Sequence, residues 1–192
     1  MNKRNLILLI VFAVVAAGLD QLTKYWAVRF LSSTEPFRVL DKALPNFLML
    51  ILQRNPDGVF GIAFGRGWSY LVFPFVALLI FLMSARTLPN AGFAVSYGII
   101  LGGSVGNTID RIIRPEGVVD FISFLFFHFK VGNRWFGWPR WPTFNIADTC
   151  LVVGILLLLL LETIRAVRER RNRTAPVATG TGQPQAPGPT AS

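Results

Sequence analysis

Cysteine and histidine are almost missing from this chain, and charge is scarce. Its 192 residues hold one cysteine, Cys150, and one histidine, His128. A single thiol excludes an intrachain disulfide and a cysteine-built metal cluster. A lone imidazole leaves nothing for a histidine-ligated metal to share, so neither a metal nor another cofactor is expected. Charged side chains make up 15% of the chain against 53% hydrophobic ones, where a soluble domain carries about 25% charged residues. Acids are the scarcer sign: ten Asp and Glu stand against nineteen Lys and Arg, for a net charge of +9. The basic excess is not one patch. Arg165, Arg168, Arg170, Arg171 and Arg173 crowd the C-terminal end, and Lys3 and Arg4 precede the first apolar run. Nucleic-acid binding needs a solvated basic face interleaved with stacking aromatics. Bases flanking membrane-length segments instead suit anionic lipid headgroups.

Four apolar segments approach the ~20 residues that cross a bilayer: about 5–28, 68–86, 91–112 and 145–164. The first also has the layout of a signal peptide, with a basic start, an apolar middle and small residues at the end. Its continuation into "DQLTKYWAV" and the three later spans favour an uncleaved first span. Between spans one and two, "FLMLILQRN", "PDG" and "VFGIAFG" read as strand, turn and strand, a small extracytoplasmic sheet within about 33–66. Residues 121–142 are dense in aromatics, including Trp135, Trp138 and Trp141. Tryptophan favours the headgroup level, which predicts an interfacial segment, part helix and part loop. The expected class is therefore a mainly α membrane protein, with its membrane domain over residues 1–171. The end of the chain lacks charge and aromatics and is rich in Pro and Gly. It cannot build a core, and 172–192 is expected to be a disordered cytoplasmic tail.

Antiparallel spans would gather the remaining polar residues at one membrane face: Asp20 and Lys24, then Asn107, Asp110 and Arg111, then Asn145 and Asp148. The sheet and the aromatic segment fall on that side. Both termini fall on the other, which the flanking basic clusters mark as cytoplasmic. An ionisable group at mid-bilayer costs about 2.5–3.5 kcal/mol on insertion scales, so each requires a reason. Asp20 and Lys24 are spaced i, i+4 and can pair, as can Asp110 and Arg114; Asn107 and Arg111 share the neighbouring face.

Asp120 in "GVVDF" and Asp148 in "NIAD" have no basic residue at helical spacing. Asp148 also fits a capping box, with Asn145 as N-cap and Asp148 at the third helical position; Asp120 alone reads as an ordinary loop acid. Together, two unpaired carboxylates at one membrane face suggest a dyad. Two close acids share a proton. The ionised member can activate water, while the protonated one polarises a carbonyl or protonates a leaving amine. Rival constellations are weaker. "GGSVG" at 102–106 contains GxxxG, which favours close helix packing over phosphate binding. Ser104 with Lys24 could form a nucleophilic pair, but Ser104 lies deeper than the other polar groups. Cys150 with His128 lacks a third orienting group. A small transporter or lipid-binding module could use the same polar cluster, although the acids sit at one face and no inverted repeat is evident.

The stretches "DQLTKYW" (20–26), "RNPDGVFGIAFG" (54–65), "GGSVGNTIDRI" (102–112), "GVVDFISF" (117–124) and "FNIADTC" (144–150) together resemble the lipoprotein signal peptidases (signal peptidase II) of bacteria. Their order across four apolar spans covers nearly the whole chain. The resemblance implies an aspartic endopeptidase of the inner membrane, multi-pass, with its site near the periplasmic face. It would remove the signal peptide from a prolipoprotein just before a diacylglyceryl-modified cysteine. Asp120 and Asp148 match the family's catalytic aspartates. Asp20, Lys24, Asn55, Asn107, Asp110, Arg111 and Asn145 match positions that shape or support its site. One departure is visible: two residues separate Asn55 from Gly58, where the family has one. The partners so implied are lipid-modified prolipoproteins and membrane lipids, with a monomeric enzyme and no nucleic acid.

Overall fold

The computed structural model describes residues 2–39, 47–56, 90–124, 128–131, 134–137 and 141–174. The proposed span at 68–86, the "PDG" turn beyond Pro56, the "VFGIAFG" strand and the C-terminal tail beyond Thr174 lie outside these residues.

Among the described residues, three long helices carry the fold: α1 (Lys3–Phe30), α2 (Ala91–Ile113) and α3 (Ile146–Thr174). Asn2 caps α1, its side chain accepting from Arg4 N at 3.1 Å. Asn90 caps α2, accepting from Gly92 N at 2.9 Å. Each supplies an acceptor to amides that have no partner within the helix. By length and composition α1 and α3 can each cross a membrane. α2 is also long, but glycine, serine and asparagine dilute its apolar character, and it packs against both of the others. Its small residues permit this. A Cβ at Gly102 would press on the Ala13 carbonyl and the Ala16 side chain of α1, and one at Gly103 on the Ala147 carbonyl of α3. These are close-packing contacts of the small-residue kind used between membrane helices.

The rest of the described fold is built on strands. β1 (Phe37–Val39), β2 (Leu48–Asn55) and β3 (Val118–Phe124) form an antiparallel sheet in that order. β4 (His128–Val131) and β5 (Arg134–Gly137) form a separate hairpin. The aromatic segment is thus not the part-helix, part-loop expected from sequence: its described portions are largely strand. Aromatic and β-branched side chains favour a pleated surface. The two residues between Val131 and Arg134, which pair, are the usual length of a hairpin connection.

β3 is central to the site. α2 ends at Ile113 with Arg114 as its C-cap, and a turn at Gly117, whose φ of 106° favours glycine, sends the chain back into β3. Both faces of β3 are covered, and Val118, Val119, Asp120 and Phe121 are all buried. Val119 and Phe121 pack with Ala27 of α1 in a small core beside Leu31 and Ile146. β2 pairs along one edge of β3, with a register shift between Leu50 and Gln53 that leaves an extra residue on β2 next to the Gln53–Asp120 pair. Such bulges commonly re-aim side chains next to functional sites. Along the other edge, Phe144 bridges Ile122 and leads directly into α3.

Candidate active site

Two groups of acids lie where the helices meet the sheet. The first is ionic and closed. Lys24 is fully buried, and its ammonium reaches Asp20 Oδ2 at 2.8 Å, Asp110 Oδ2 at 3.1 Å and Asn107 Oδ1 at 2.8 Å. Those three contacts use its three N–H donors. Asp110 also pairs with Arg114 and accepts from Val119 N at 3.0 Å. Asp20 accepts from Ala147 N at 2.9 Å. Two acids and two bases balance, as burial requires. Both i, i+4 pairings expected from sequence are present. Gln21, missed at that level, donates to Asp20, Asp110 and the Gly106 carbonyl. Its position beside Asp20 in an apolar span was the available signal. Lys24 has no donor left for Ser104, which weakens the serine–lysine alternative.

Among the described residues, the second group has amide partners in place of cations. Asp120 is buried in β3. Its Oδ1 accepts from Asn145 Nδ2 at 2.7 Å and its Oδ2 from Asn55 Nδ2 at 3.1 Å. Asp148, half-buried in the first turn of α3, accepts from Asn145 N at 3.2 Å and from Asn107 Nδ2 at 2.8 Å. Asp148 N in turn donates to Asn145 Oδ1 at 3.0 Å, completing a reciprocal capping box. The capping role is therefore real. The second carboxylate oxygen of Asp148 is not free but holds Asn107. One residue, Asn145, joins the two acids through its backbone N–H and its side-chain amide. Asn107 joins them to the ionic group through Lys24. Of the remaining residues expected here, Arg111 lies half-buried on the last turn of α2.

Burial, then the charge of Asp148, pushes the Asp120 carboxyl up to about 7, against the opposing amide bonds from Asn55 and Asn145 and the more distant charge of Lys24. A carboxyl tuned to that range can hold or release a proton near neutrality. Beside Asp148 opens a groove of about 280 Å³, lined by Phe124, Trp141 and Phe144 on one side and by Thr149, Val152 and Val153 of α3 on the other. Phe124 stacks on Trp141 and meets Phe144 edge-on. The chemistry available is water activation by a carboxylate pair at the end of an apolar trough.

The fold has close relatives among membrane enzymes. A bacterial membrane enzyme solved by the in meso method at 2.3 Å superposes with a TM-score of 0.67 and 26% identity, covering 89% of this chain and 94% of that one. A second, solved at 1.9 Å, gives a TM-score of 0.57 and 28% identity over 80% and 90% of the two chains. The class is thus a membrane enzyme. The profile of the family described as signal peptidase (SPase) II matches residues 11–164, and the chain belongs to that family of proteases. Similar sequences include the lipoprotein signal peptidase of Geobacillus thermodenitrificans, 36% identical over 162 residues, 83% of this chain and 92% of the relative. That of Borreliella afzelii is 35% identical over 158 residues, 79% and 87% of the two chains.

Proposed function

We propose that the protein is an aspartic endopeptidase that removes the signal peptide of diacylglyceryl-modified prolipoproteins, cutting just before the lipidated cysteine. The observation that carries the mechanism is the shared clamp of Asn145 on Asp120 and Asp148. Asp120, buried and tuned upward, holds the proton. Asp148, facing the groove, takes a proton from water as that water attacks the scissile carbonyl. Asp120 donates to the carbonyl oxygen in the same step; as the resulting diol collapses, Asp148 passes its proton to the leaving amine and Asp120 takes one back from a diol hydroxyl. Asn107 and Asn145 hold the two carboxylates in register, and Asn55 fixes the outer oxygen of Asp120. The groove along α3 receives the apolar part of the substrate.

The depth of the acids supports a site recessed in the membrane. Asp20 and Asn107 stand level with the pair. Trp26 lies six residues beyond Asp20, and Ile113 six beyond Asn107, both outward-facing; each interval is about 9 Å of helix. In the other direction, α3 runs from Asp148 to its next charge, Glu162, over about 21 Å. Together these intervals match the ~30 Å hydrocarbon thickness of a bilayer. The proposed topology is multi-pass in the bacterial inner membrane with both termini cytoplasmic, the four-span arrangement being completed by 68–86. The enzyme acts as a monomer.

The test is cleavage of a diacylglyceryl-modified prolipoprotein by purified wild type, Asp120→Asn and Asp148→Asn, with thermal unfolding in detergent as the control. Each variant should lose at least about 10³-fold in kcat/KM, within the range for general acid–base groups, while remaining folded. Wild-type rates in either folded variant would overturn the dyad. A folded wild type that leaves this substrate uncut would overturn the substrate class.

A further inference from the structure

Gln53 and Thr143 belong to neither acid group, yet their side chains meet: Thr143 Oγ1 donates to Gln53 Oε1. Gln53 stands directly opposite Asp120 in the β2–β3 ladder, and directly opposite side chains rise from one face of a sheet. Asn55, two residues on, rises from that face too and holds Asp120 Oδ2. Thr143 lies beyond the other edge of β3, next to Phe144, which bridges Ile122. The Gln53–Thr143 bond therefore crosses β3. The positions match in a second way. Gln53 precedes Asn55 by two residues, and Thr143 precedes Asn145 by two. Asn55 and Asn145 are the amides that grip the two oxygens of Asp120. The same pair of segments is thus joined twice, once through Asp120 and once around it.

We propose that Gln53 and Thr143 are positioning residues, a latch that sets the distance between the two amides holding Asp120. This rests on Asp120 being the proton-holding member of the proposed pair. The latch stands where the sheet is locally interrupted. The register shift between Leu50 and Gln53 breaks the ladder, and Leu52 N bonds to the Ser32 carbonyl at 3.0 Å, away from β3. β2 therefore reaches Gln53 without regular pairing just behind it. On the other edge, Phe144 bonds to β3 through its backbone, and the chain then turns into α3. Asn55 and Asn145 both favour the ionised form of Asp120. Spreading them apart weakens that help and leaves burial and Asp148 to hold the proton more tightly. The charges around Asp120 are Asp148 at the start of α3 and, farther off, Lys24 of α1, itself paired with Asp20. Asp110 of α2, paired with Arg114, accepts from the neighbouring Val119 N. Arg54 of β2 stands opposite Val119 and so belongs to the other face of the sheet. Gln53 and Thr143 are uncharged, so replacing them acts on Asp120 through distance and adds no charge.

The experiment is carbon-13 NMR of the full-length protein in detergent micelles, labelled at its aspartate side-chain carboxyls and titrated with pH. The Asp120 signal is the one missing from Asp120→Asn. In Thr143→Val its midpoint should rise by about half a pH unit, part of the worth of one neutral hydrogen bond. Gln53→Leu should raise it equally, and the double variant no further, because either change opens the same bond. Thr143→Ser keeps the hydroxyl and should titrate as wild type. Gln53 is exposed and Thr143 half-buried, so all these proteins should keep the wild-type Tm. In the cleavage assay, the alkaline limb of kcat/KM should rise in Thr143→Val and stay in place in Thr143→Ser. An unmoved midpoint in folded Thr143→Val would overturn the latch. So would an equal rise in Thr143→Ser, which would mark packing and not the hydroxyl. A double variant showing the sum of the two single shifts would overturn it as well, by marking two independent contacts. The titration needs no substrate, so it tests the latch apart from the cleavage that tests the peptidase reading.

Discussion

Two carboxylate groups sit side by side in this protein and differ in their partners. Asp20 and Asp110 are held by Lys24, and Asp110 also by Arg114. Asp120 and Asp148 accept only from amides in their resolved contacts. A cation neutralises a buried acid and fixes its proton inventory. An amide orients the acid and leaves its charge to be decided by burial and by the other carboxylate. The first group can hold helices together, and the second can trade a proton. Asn107 lies on the border, accepting from Lys24 while donating to Asp148.

The sharpest way to break this contrast is to neutralise one acid in each group. Asp120→Asn and Asp148→Asn should remove activity and spare the fold, as described above. Lys24→Met should do the reverse, leaving Asp20 and Asp110 facing each other without their shared cation. Breaking a buried ion pair from one side costs about 3–5 kcal/mol, and the yield of folded protein and the Tm in detergent should fall accordingly. A Lys24→Met protein with wild-type Tm would show that the ionic group does not hold the helices.

A smaller effect is expected from Gly106→Ala. The added methyl would collide with the Asp20 carboxylate, whose Oδ1 accepts from Ala147 N at the start of α3. Overpacking of this kind costs about 1–3 kcal/mol, read as a lower Tm; an unchanged Tm would mean the interface opens freely.

The finest distinction concerns pH. The raised carboxyl of Asp120 favours its protonated form below about 7. Since the proposed mechanism needs that proton, kcat/KM should fall as pH rises through this value. Asn55 stabilises the ionised form of Asp120. Asn55→Ala should therefore move the alkaline limb upward, alongside a loss of rate. A limb that stays put would remove Asn55 from the electrostatics of the pair.

Local spacing made some of this legible in the sequence. The apolar lengths of α1 and α3, the pairings of Asp20 with Lys24 and Asp110 with Arg114, and the Asn145–Asp148 capping box all lie within one or a few helical turns. A 3.6-residue period records such relations directly. The same reasoning failed on the aromatic segment, where aromatic density was read as an interfacial helix and loop. Phe121–Phe124 owe their strand character to pairing with β2 and with Phe144, and β4 and β5 to pairing with each other, and composition alone does not reveal those partners. Asp120 was likewise readable as a loop acid. Only its place on a strand between two neighbours brings it to Asn55, 65 residues earlier, and to Asn145.

The sequence by itself determined that long apolar helices would bury a few ionisable groups, and that some would pair within a helix, because hydrophobic length and i, i+4 spacing are properties of a single segment. Which acids, among the described residues, hold amides in place of a cation was decided by tertiary structure. Asp20 reaches Ala147 across 127 residues, and Asn145 clamps both Asp120 and Asp148. A contact between distant segments leaves no periodic trace in either one, so the chemistry of each carboxylate was settled only when the helices and the sheet closed around it.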